Sequence, residues 1–450
     1  MNYDGNFGPI LVPSRPSPYD RRMNDEKLAL LGGEPRFTTK QTPYPRFSES
    51  AISRVENLLR AGTTVGFNKL CPEIDEAESK IARWQGAEYC LGTSSGHGAL
   101  QSALAGLEIT SGDEVITTPY TWGASIACIL HNNAIPIFAD VDPDTGLIDP
   151  ATIEERITPR TKAILAVHLF GQPADMTRIC AIAEKHGLSV VEDGSQAHGA
   201  IHAGRKVGVY GDAAGFSCMG GKLLATSEAG YMVTNDEETY WKAAMAGQHM
   251  GRSPDRGFPP EYLPYADSLV YTYRLNPISA VLLTEQISKI DDEIDARRRN
   301  AARFYSGIEG LKLIRAPIYA DGDNPSYHML TLNFPFITAP VTKESYLAAL
   351  KAEGVNAFSY VPSAIPSWPR MQPDYSGPRA MWTESIKRNG VDYRSVSIPG
   401  CKERLSQGIE MSWNYLDYDE GSMDDLATAF EKVEQNISEL VAWEHRVAAV

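Results

Sequence analysis

A lysine between two glycines and two leucines is the first residue whose surroundings suit covalent chemistry. Lys222 lies in the run FSCMGGKLLATSEAGYM, flanked by Gly220, Gly221 and Leu223. A lysine that attacks a carbonyl to form a Schiff base needs partial desolvation and close backbone approach. Ser217, five residues earlier, offers a hydroxyl for a phosphate group. A solvated surface charge is the ordinary role of a single lysine, but surface lysines seldom stand between such neighbours.

A second motif places a carboxylate where a ligand would bind. In the run VVEDGSQAHGA, Asp193 ends an apolar stretch typical of a β-strand. Open α/β sheets bind ligands at the carboxyl ends of their strands, and a carboxylate buried there needs a partner. A protonated ring nitrogen is a suitable partner, and Gln196, three residues later, is placed to reach a ring hydroxyl. Taken alone, Asp193 is equally well interpreted as a cap of the next turn.

Two further motifs fit a phosphate group and an aromatic ring. The run SSGHGAL, residues 94–100, stands between a predicted strand and a predicted helix, and small residues at a helix start leave N–H groups facing a phosphate. Trp122, in TPYTWGAS, opens another helix and offers a flat indole for stacking. Each motif has an ordinary alternative, because glycine-rich connections are mostly turns and tryptophans mostly pack in cores. The four motifs together predict one cofactor site.

The elements that position these motifs alternate between strands and helices. Strands are predicted at Tyr89–Gly92, Glu114–Thr118, Ile135–Val141, Ala163–Leu169 and Ser189–Glu192, and helices at Arg54–Arg60, Ile74–Trp84, Ala99–Leu107, Ser125–Asn132, Ala151–Ile157 and Met176–His186. Such alternation predicts an α/β fold with a mostly parallel central sheet flanked by helices. Two more strands, Ala213–Cys218 and Gly230–Thr234, are predicted on either side of the loop that carries Lys222.

The remainder of the chain predicts a long helix and a second, smaller α/β domain. Pro277 fits the first turn of a helix that continues to about Tyr305, since helix starts tolerate proline. We divide the chain into an N-terminal arm at 1–41, a large cofactor-binding domain at 42–307 and a small C-terminal domain at 308–450. A final helix is predicted near 423–442, and residues 1–24 are interpreted as a mobile arm.

Composition excludes several classes of protein. The 450 residues include 42 Lys and Arg against 57 Asp and Glu, a net charge of −15, and this acidic balance argues against nucleic-acid binding. No apolar run reaches the roughly 20 residues that span a bilayer, so we expect no membrane association. None of the six cysteines has the spacing of a zinc ligand, which predicts reduced thiols in a cytoplasmic protein and no metal site. GFSCMGGKLL fails as a P-loop because Leu223 stands where Ser or Thr would hold magnesium.

The order and spacing of these runs resemble the DegT/DnrJ/EryC1/StrS family of sugar aminotransferases, which are fold-type I pyridoxal-phosphate enzymes. The resemblance extends from about Leu28 to Val433 and includes the runs SGDEVITTPYTW, FADVDPDTGLIDP, ITPRTKAILAVHLFGQPADM, VVEDGSQAHGA and YRLNPISAVLL. LALLGGEPRF and FSCMGGKLLATSEAG are most similar to the branch of cyclitol aminotransferases and aminohydroxybenzoate synthase. The resemblance therefore implies a fold-type I transferase with a smaller C-terminal α/β domain.

The resemblance also implies roles for the motif residues. Lys222 matches the lysine that binds pyridoxal 5'-phosphate covalently, and Asp193 matches the carboxylate that pairs with the ring nitrogen. The other implied cofactor contacts are Gln196 near the 3-hydroxyl, Trp122 stacked on the ring, and Ser217 with the amides of Gly96 and His97 around the phosphate.

Three positions depart from the family's pattern. The family usually has Thr where His97 stands, which matters little for a phosphate contact made through the backbone amide. The family often brings an Asn, just before a Tyr-Arg pair, to the phosphate of the partner subunit, and here that position is Thr272. The usual Tyr-Pro-x-x-His near the substrate begins here with Tyr360 and ends with Ala364, without its histidine. The candidates for substrate contact are His198, Tyr273, Arg274, His328 and Tyr360. For both histidines a structural role is the commoner alternative.

The function that the resemblance implies is transfer of an amino group from glutamate or glutamine to a ketone of a sugar, sugar nucleotide or cyclitol, in amino-sugar or antibiotic biosynthesis. It also implies a homodimer with shared active sites. Two alternatives stay open: a dehydratase of the same fold, and a regulatory relative without turnover. The dehydratases replace the lysine with His, so the presence of Lys222 argues against the first. Intact Lys222, Asp193 and Gln196 argue against the second.

Overall fold

A seven-stranded mixed sheet forms the centre of the larger part of the molecule. The computed structural model describes residues 26–62, 71–248, 258–265, 269–378, 381–412, 414 and 416–448. The strands of the first half are β1 (Tyr89–Thr93), β2 (Glu114–Thr117), β3 (Ile135–Phe138), β4 (Thr161–Val167), β5 (Ser189–Asp193), the hairpin of β6 (Ile201–His202) and β7 (Arg205–Lys206), β8 (Ala213–Ser217) and β9 (Gly230–Thr234). In space the order of the large sheet is β1-β9-β8-β5-β4-β2-β3. Strand β9 pairs antiparallel with both neighbours, and the other pairings are parallel, which confirms the predicted mostly parallel sheet.

The central strands are buried on both faces because their side chains alternate between two apolar clusters. In β4, Ala163 and Leu165 join the cluster on one face, while Ile164 and Ala166 join the cluster on the other. This is the period-two alternation of a strand, and an almost continuous apolar run is what a parallel strand covered on both faces requires.

Helices cover both faces of this sheet. They are α1 (Glu49–Ala61), α2 (Pro72–Gln85), α3 (Gly96–Gly106), α4 (Ala124–His131), α5 (Met176–His186), α6 (Glu237–Gly247), α7 (Pro277–Gln286) and α8 (Ile290–Gly307). Helices α3, α4 and α6 contribute apolar side chains to one face. Helices α2, α5 and α7 contribute to the clusters of the other face. The core therefore fixes where α3 and α4 begin, at the carboxyl edge of the sheet.

A second, three-stranded antiparallel sheet forms the smaller part of the molecule. Its strands are β10 (Met329–Asn333), β11 (Ala357–Phe358) and β12 (Gly408–Ser412), in the order β10-β12-β11. The surrounding helices are α9 (Lys343–Ala352), α10 (Met381–Arg388), α11 (Pro399–Gln407), α12 (Glu420–Gln435) and α13 (Ile437–Ala448). Leu28 and Phe37 of the N-terminal segment are buried in the core of this sheet, together with Phe304 of α8. The division at residues 41 and 307 stays a prediction.

Three predicted helices differ from the structure. The helix predicted at Ala151–Ile157 is replaced by two 3₁₀ turns, at Pro150–Thr152 and Glu154–Arg156. The carboxylate of Asp149 accepts the backbone amide of Ala151 at 2.9 Å, and such local bonds compete with a short helix. The helix predicted from Pro277 to Tyr305 is interrupted between α7 and α8, and the final helix is divided at Asn436 into α12 and α13.

Two other predictions concern regions that the structure describes incompletely. The arm at residues 1–24 and most of the loop GRSPDRGFPPEYLPYADS, residues 251–268, lie outside the described residues. Within the described ranges, none of the helices combines the length and the apolar character needed to cross a bilayer.

Candidate active site

A cavity of 530 Å³ lies at the carboxyl edge of the central sheet. Strands β4, β5 and β8 end beside it, and helices α3 and α4 begin beside it. Since open α/β sheets bind ligands at this edge, the cavity is the candidate site of the fold. The structure brings nine predicted residues together around it: Gly96, His97, Trp122, Asp193, Gln196, Ser217, Lys222, His328 and Tyr360.

Asp193 is the last residue of β5 and only 4% of it is exposed. Its Oδ2 accepts a hydrogen bond from the hydroxyl of Ser125 at 2.7 Å, and its Oδ1 accepts one from the amide of Ser195 at 3.0 Å. Ser125 stands in the first turn of α4, so this helix also fixes the carboxylate. A buried carboxylate with two neutral donors and further acceptor capacity suits a protonated ring nitrogen.

A second buried carboxylate, Glu192, precedes Asp193 and is paired with a histidine of the cavity wall. Burial raises the pKa of Glu192, but hydrogen bonds from His168 and from the amides of Gly211 and Gly208 outweigh burial and lower it. The amide of Ala174 donates to Nδ1 of His168 at 2.9 Å, so Nε2 carries the proton and donates to Glu192 at 3.0 Å. His168 lines the cavity. Sequence analysis missed it, although its place directly after β4 is the signal that marked Asp193 after β5.

Lys222 lies in the connection between β8 and β9, and its side chain lines the cavity. Burial lowers the pKa of its amino group, whereas the nearby Asp193 and Cys218 act in the opposite direction. The net direction is downward, which increases the fraction of neutral, nucleophilic amine near pH 7. The lysine therefore has the desolvated environment that a Schiff-base nucleophile needs.

The connection that carries Lys222 is held by a tyrosine from the N-terminal part of the chain. The hydroxyl of Tyr44 lies 2.5 Å from the carbonyl oxygen of Lys222 and 2.6 Å from that of Leu223. Burial raises the pKa of Tyr44, so its hydroxyl keeps its proton and remains a donor. The guanidinium carbon of Arg297 lies 5.8 Å from the centre of the tyrosine ring. Nothing in the local sequence marks Tyr44, and sequence analysis missed it.

The start of α3 forms a backbone surface suited to a phosphate. The hydroxyl of Ser95 caps the helix by accepting the amide of Gly98 at 3.1 Å. A Cβ on Gly96 would lie 2.4 Å from Cβ of Ser217, so glycine is required for this close approach. The first N–H groups of a helix, here those of Gly96 and His97, have no partner within the helix and favour an anion. This cradle, with Ser217 beside it, fits a phosphate ester.

The side chain of His97 is engaged away from the phosphate cradle. Its Nε2 lies 2.8 Å from Nδ1 of His131. Burial, and secondarily the charge of His131, lower the pKa of His97. Because the imidazole already has a partner, His97 is placed to meet a phosphate through its backbone amide. Position 97 therefore does not depend on a particular side chain for that contact.

Gln196 and Tyr360 form another wall of the cavity. Gln196 donates from Nε2 to the hydroxyl of Tyr360 at 2.9 Å and accepts at Oε1 from the amide of Phe170 at 3.0 Å. The amide of Tyr360 donates to Oε2 of Glu410 in β12 at 2.8 Å, so the small sheet supports this wall. Trp122 is 63% exposed, and its ring centre lies 6.3 Å from that of Tyr360. An indole exposed at the cavity is suited to stack on an aromatic ring.

Three of the predicted residues form a neighbouring segment that does not line the cavity: Thr272, Tyr273 and Arg274. Tyr273 donates its hydroxyl to the side chain of Gln101 in α3 and packs against Gly98. Arg274 forms an isolated β-bridge with Thr93. Thr272 is exposed, with φ of 61°, a conformation that β-branched residues rarely adopt. Their cofactor and substrate contacts stay predictions.

His198 also lies outside the cavity wall. It is fully buried, with its ring centre 5.2 Å from that of Phe216 and 5.9 Å from that of Tyr231. Neither ring nitrogen has a hydrogen-bond partner among the described residues, and burial lowers the pKa of His198 to about 3. His328 does line the cavity, and burial also lowers its pKa, well below the usual value. Both imidazoles are therefore neutral near pH 7.

Sequence analysis missed several other residues of the cavity wall. They include Thr121, Ser125, Met219, Glu228, Ser412 and Asn414. Ser125 and Glu228 stand in the motif runs TPYTWGAS and FSCMGGKLLATSEAG, so their neighbours in sequence were a usable signal. Ser412 and Asn414 come from the small part of the molecule, where no local motif marks them.

Comparison with protein families identifies one match over most of the chain. The model described as the DegT/DnrJ/EryC1/StrS aminotransferase family matches residues 46–393. Among curated proteins, the chain is similar to the L-glutamine:2-deoxy-scyllo-inosose aminotransferase of Streptoalloteichus tenebrarius, with 32% identity over 431 residues. That alignment covers 92% of this chain and 99% of the relative.

Two solved structures show the same fold. The aminotransferase from Psychrobacter cryohalolentis has 27% sequence identity and a TM-score of 0.77, covering 89% of this chain and 100% of its own. The structure of 3-amino-5-hydroxybenzoic acid synthase has 24% identity and a TM-score of 0.74, covering 87% of this chain and 98% of its own. The predicted fold class and the predicted branch of relatives are therefore confirmed.

Proposed function

Since the chain belongs to the DegT/DnrJ/EryC1/StrS aminotransferase family, we propose that it transfers the amino group of L-glutamine to the ketone of a cyclitol, with pyridoxal 5'-phosphate as its cofactor. The observation that carries this proposal is one cavity that holds Lys222, Asp193 and a phosphate cradle at the start of α3. The relative named L-glutamine:2-deoxy-scyllo-inosose aminotransferase, aligned over 99% of its length, supports the donor and the acceptor.

The residues around the cavity fit the proposed cofactor. The amides of Gly96 and His97, with the hydroxyl of Ser217, would hold the phosphate. Asp193 would pair with the ring nitrogen, and Trp122 would cover a face of the ring. Gln196, already fixed by Phe170 and Tyr360, would lie near the ring hydroxyl.

Bound pyridoxal phosphate supplies an electron sink for cleavage of the α-C–H bond of an amino acid. The amine of Lys222, with its pKa lowered by burial, is the group that accepts the α-proton and returns it. The carboxylate of Asp193 stabilises positive charge at its side of the cavity, because its two neutral hydrogen bonds leave the negative charge uncompensated. His168, Gln196 and Tyr360 line the cavity with side chains that hydrogen bonds hold in place, so they would orient the bound groups.

We also propose a homodimer in which each subunit contributes to its partner's site. The segment of Thr272 to Arg274 does not line its own subunit's cavity. Beside it, Leu269 is 88% exposed and Tyr271 is 52% exposed, and tyrosine is among the residue types that commonly anchor interfaces. Sedimentation at low protein concentration tests the proposal. A fully active monomer would contradict both the dimer and the shared site.

The catalytic proposal is tested by supplying purified protein with pyridoxal phosphate, L-glutamine and 2-deoxy-scyllo-inosose. We expect an aminocyclitol of the mass that replacement of the ketone by an amine requires. L-Glutamate in parallel tests the donor, and Lys222→Ala is the matched inactive control. Loss of water without gain of nitrogen would favour the dehydratase instead. Absence of any product from a panel of keto-cyclitols and keto-sugars would contradict the proposal.

A further inference from the structure

A second cavity, of 400 Å³, adjoins the 530 Å³ cavity that holds Lys222 and Asp193, which we call the catalytic cavity. The two cavities share Ser412, the last residue of β12, and Asn414, which follows this strand. The acceptor cavity, as we call this second one, is also lined by Phe37, Thr39, Gln41, Gly354, Val355, Asn356, Met411 and Leu426. Its volume lies within the range of about 300–1,000 Å³ that small-molecule sites occupy.

The polar side chains of the acceptor cavity are fixed by one another. Nε2 of Gln41 donates to the carbonyl oxygen of Ser412 at 2.8 Å. Nδ2 of Asn356 donates to the hydroxyl of the same serine at 3.3 Å. The hydroxyl oxygens of Ser422 and Thr39 lie 3.2 Å apart, and Ser422 donates its proton to the carboxylate of Asp419 at 2.6 Å. Three segments that are distant in sequence therefore present amide and hydroxyl groups around the junction of the two cavities.

The chemistry of this lining selects an uncharged, hydroxylated ligand. Amide and hydroxyl side chains each offer both donors and acceptors, and apolar side chains of Phe37, Met411 and Leu426 complete the wall. None of the described residues that line the acceptor cavity carries a charge. A ring bearing several hydroxyls and C–H faces matches such a surface, whereas a phosphate needs cationic or oriented N–H donors.

The lining of the catalytic cavity, which holds Lys222, also favours an uncharged acceptor over a phosphorylated one. Apart from histidines, Lys222 is the one cationic side chain among its described lining residues, and Glu228 adds a carboxylate. The lysine is already assigned to the chemistry of the amino group. Within one subunit, a nucleotide diphosphate would therefore meet a carboxylate, with no arginine and no second lysine among the described lining residues.

We propose that the acceptor cavity binds the second ring of a two-ring, uncharged acceptor: a keto-cyclitol that carries a glycosidically linked hexose. The ketone ring occupies the catalytic cavity, and the hexose passes Ser412 and Asn414 to reach Gln41 and Asn356. This inference rests on the proposed function, and it assigns Gln41 and Asn356 as specificity-determining residues.

The experiment compares two acceptors, 2-deoxy-scyllo-inosose and the same ketone carrying one hexose. For the wild-type protein we expect a lower KM with the two-ring acceptor. Gln41→Ala or Asn356→Ala should each raise that KM about 3- to 10-fold, the loss of one hydrogen bond. The KM of the one-ring acceptor and the rate of the L-glutamine half-reaction should not change. Gln435→Ala, on the exposed surface of α12, is the matched control.

Several results would overturn the inference. The first is equal KM values for the two acceptors in the wild-type protein. The second is an equal rise of KM for both acceptors in the variants, which a purely structural role of Gln41 would produce. Competitive inhibition by uridine diphosphate at micromolar concentration would point to a nucleotide-linked acceptor instead. If neither ketone is aminated, the proposed function fails and the inference fails with it. If only the one-ring ketone is aminated, the proposed function stands, and the inference that the acceptor cavity binds a hexose is wrong.

Discussion

At the scale of single residues, the site depends on how one carboxylate and one amine are desolvated together. Asp193 is nearly inaccessible, and its hydrogen-bond donors within the described part of the chain, Ser125 and Ser195, are both neutral. Its charge raises the pKa of Lys222, against the stronger lowering by burial. A cofactor nitrogen that pairs with Asp193 would complete the charge balance of the cavity, which explains why the carboxylate is held without a cationic side chain bonded to it.

We predict that Asp193→Asn is nearly inactive and that it further lowers the pKa of Lys222. Asn can hydrogen-bond a ring nitrogen but cannot hold it protonated, and removing one such stabilising group costs about 3–4 kcal/mol of transition-state stabilisation. The pKa falls because the variant loses the carboxylate that raises it. Turnover measures the first effect, and the pH dependence of amine labelling of Lys222 in the cofactor-free protein measures the second. Near-normal turnover, or a raised pKa, would remove Asp193 from this role.

At the scale of elements, the reactive connection between β8 and β9 is fixed from outside its own hairpin. The carbonyl oxygens of Lys222 and Leu223 converge on the hydroxyl of Tyr44, which lies 178 residues away from Lys222 in the chain. Cys218, Leu224 and Ala229 anchor this connection in the core, and the hydrogen bonds from Tyr44 add a fixed point at the backbone of Lys222 itself.

We predict that Tyr44→Phe loosens this connection while the fold persists. Two carbonyls lose one shared donor, which costs about 1–3 kcal/mol in a buried setting. The expected results are faster amide hydrogen exchange at residues 219–224 and weaker retention of pyridoxal phosphate. Tyr375→Phe is the control, since that hydroxyl donates to the carbonyl of nearby Pro378, away from the cavity. Unchanged exchange in Tyr44→Phe would show that the hydroxyl does not hold the connection.

At the scale of the whole molecule, a buried ion pair joins the small sheet to the catalytic wall. Nη2 of Arg404 lies 2.6 Å from Oε1 of Glu410, and both side chains are fully buried. The hydroxyl of Tyr120 donates to the same oxygen at 3.2 Å, and the amide of Tyr360 donates to Oε2. The pair therefore connects α11 and β12 with Tyr120 of the large part of the molecule and with Tyr360 of the cavity wall.

We predict that Glu410→Gln destabilises the protein by about 3–5 kcal/mol, because it leaves a buried guanidinium without its counter-charge. Asp144→Asn is the comparison, since it removes the charge partner of Arg315 in an exposed pair and should cost no more than about 1 kcal/mol. Urea unfolding monitored by fluorescence measures both. Equal effects of the two substitutions would contradict the special role of the buried pair.

A second prediction at this scale concerns acid stability. The unfolded chain protonates His198 near pH 6.5, but burial lowers its folded pKa to about 3. Stability is therefore fully present above pH 6.5 and falls by about 1.4 kcal/mol per unit as the pH decreases toward 3. Urea unfolding at pH 7 and pH 5 measures this decrease in the free energy of unfolding. We expect the decrease in His198→Gln to be smaller than in the wild type by about 2 kcal/mol. The same loss in His198→Gln and in the exposed control His445→Gln would contradict a neutral, buried His198.

The sequence alone determined the large sheet and the family, because both follow from the local pattern of residues. The roles of Lys222 and Asp193 stay predictions, and the structure places both residues at the cavity. Apolar runs predicted the strands of the large sheet, and short motifs marked Lys222 and Asp193. The break between α7 and α8 escaped the same reasoning, since helical periodicity continues through it; at the break the hydroxyl of Ser288 donates to the carbonyl of Glu285 at 2.6 Å.

Only the tertiary structure decided which distant residues complete the site. Tyr44, Ser412 and Asn414 meet at or beside the cavity from separate segments, and their immediate sequence has no pattern that predicts this. The structure also placed His198 behind the wall rather than in it. Local sequence determines the periodicity and the caps of each helix or strand. The contacts between elements depend on packing of the whole core, which involves residues from many segments at once.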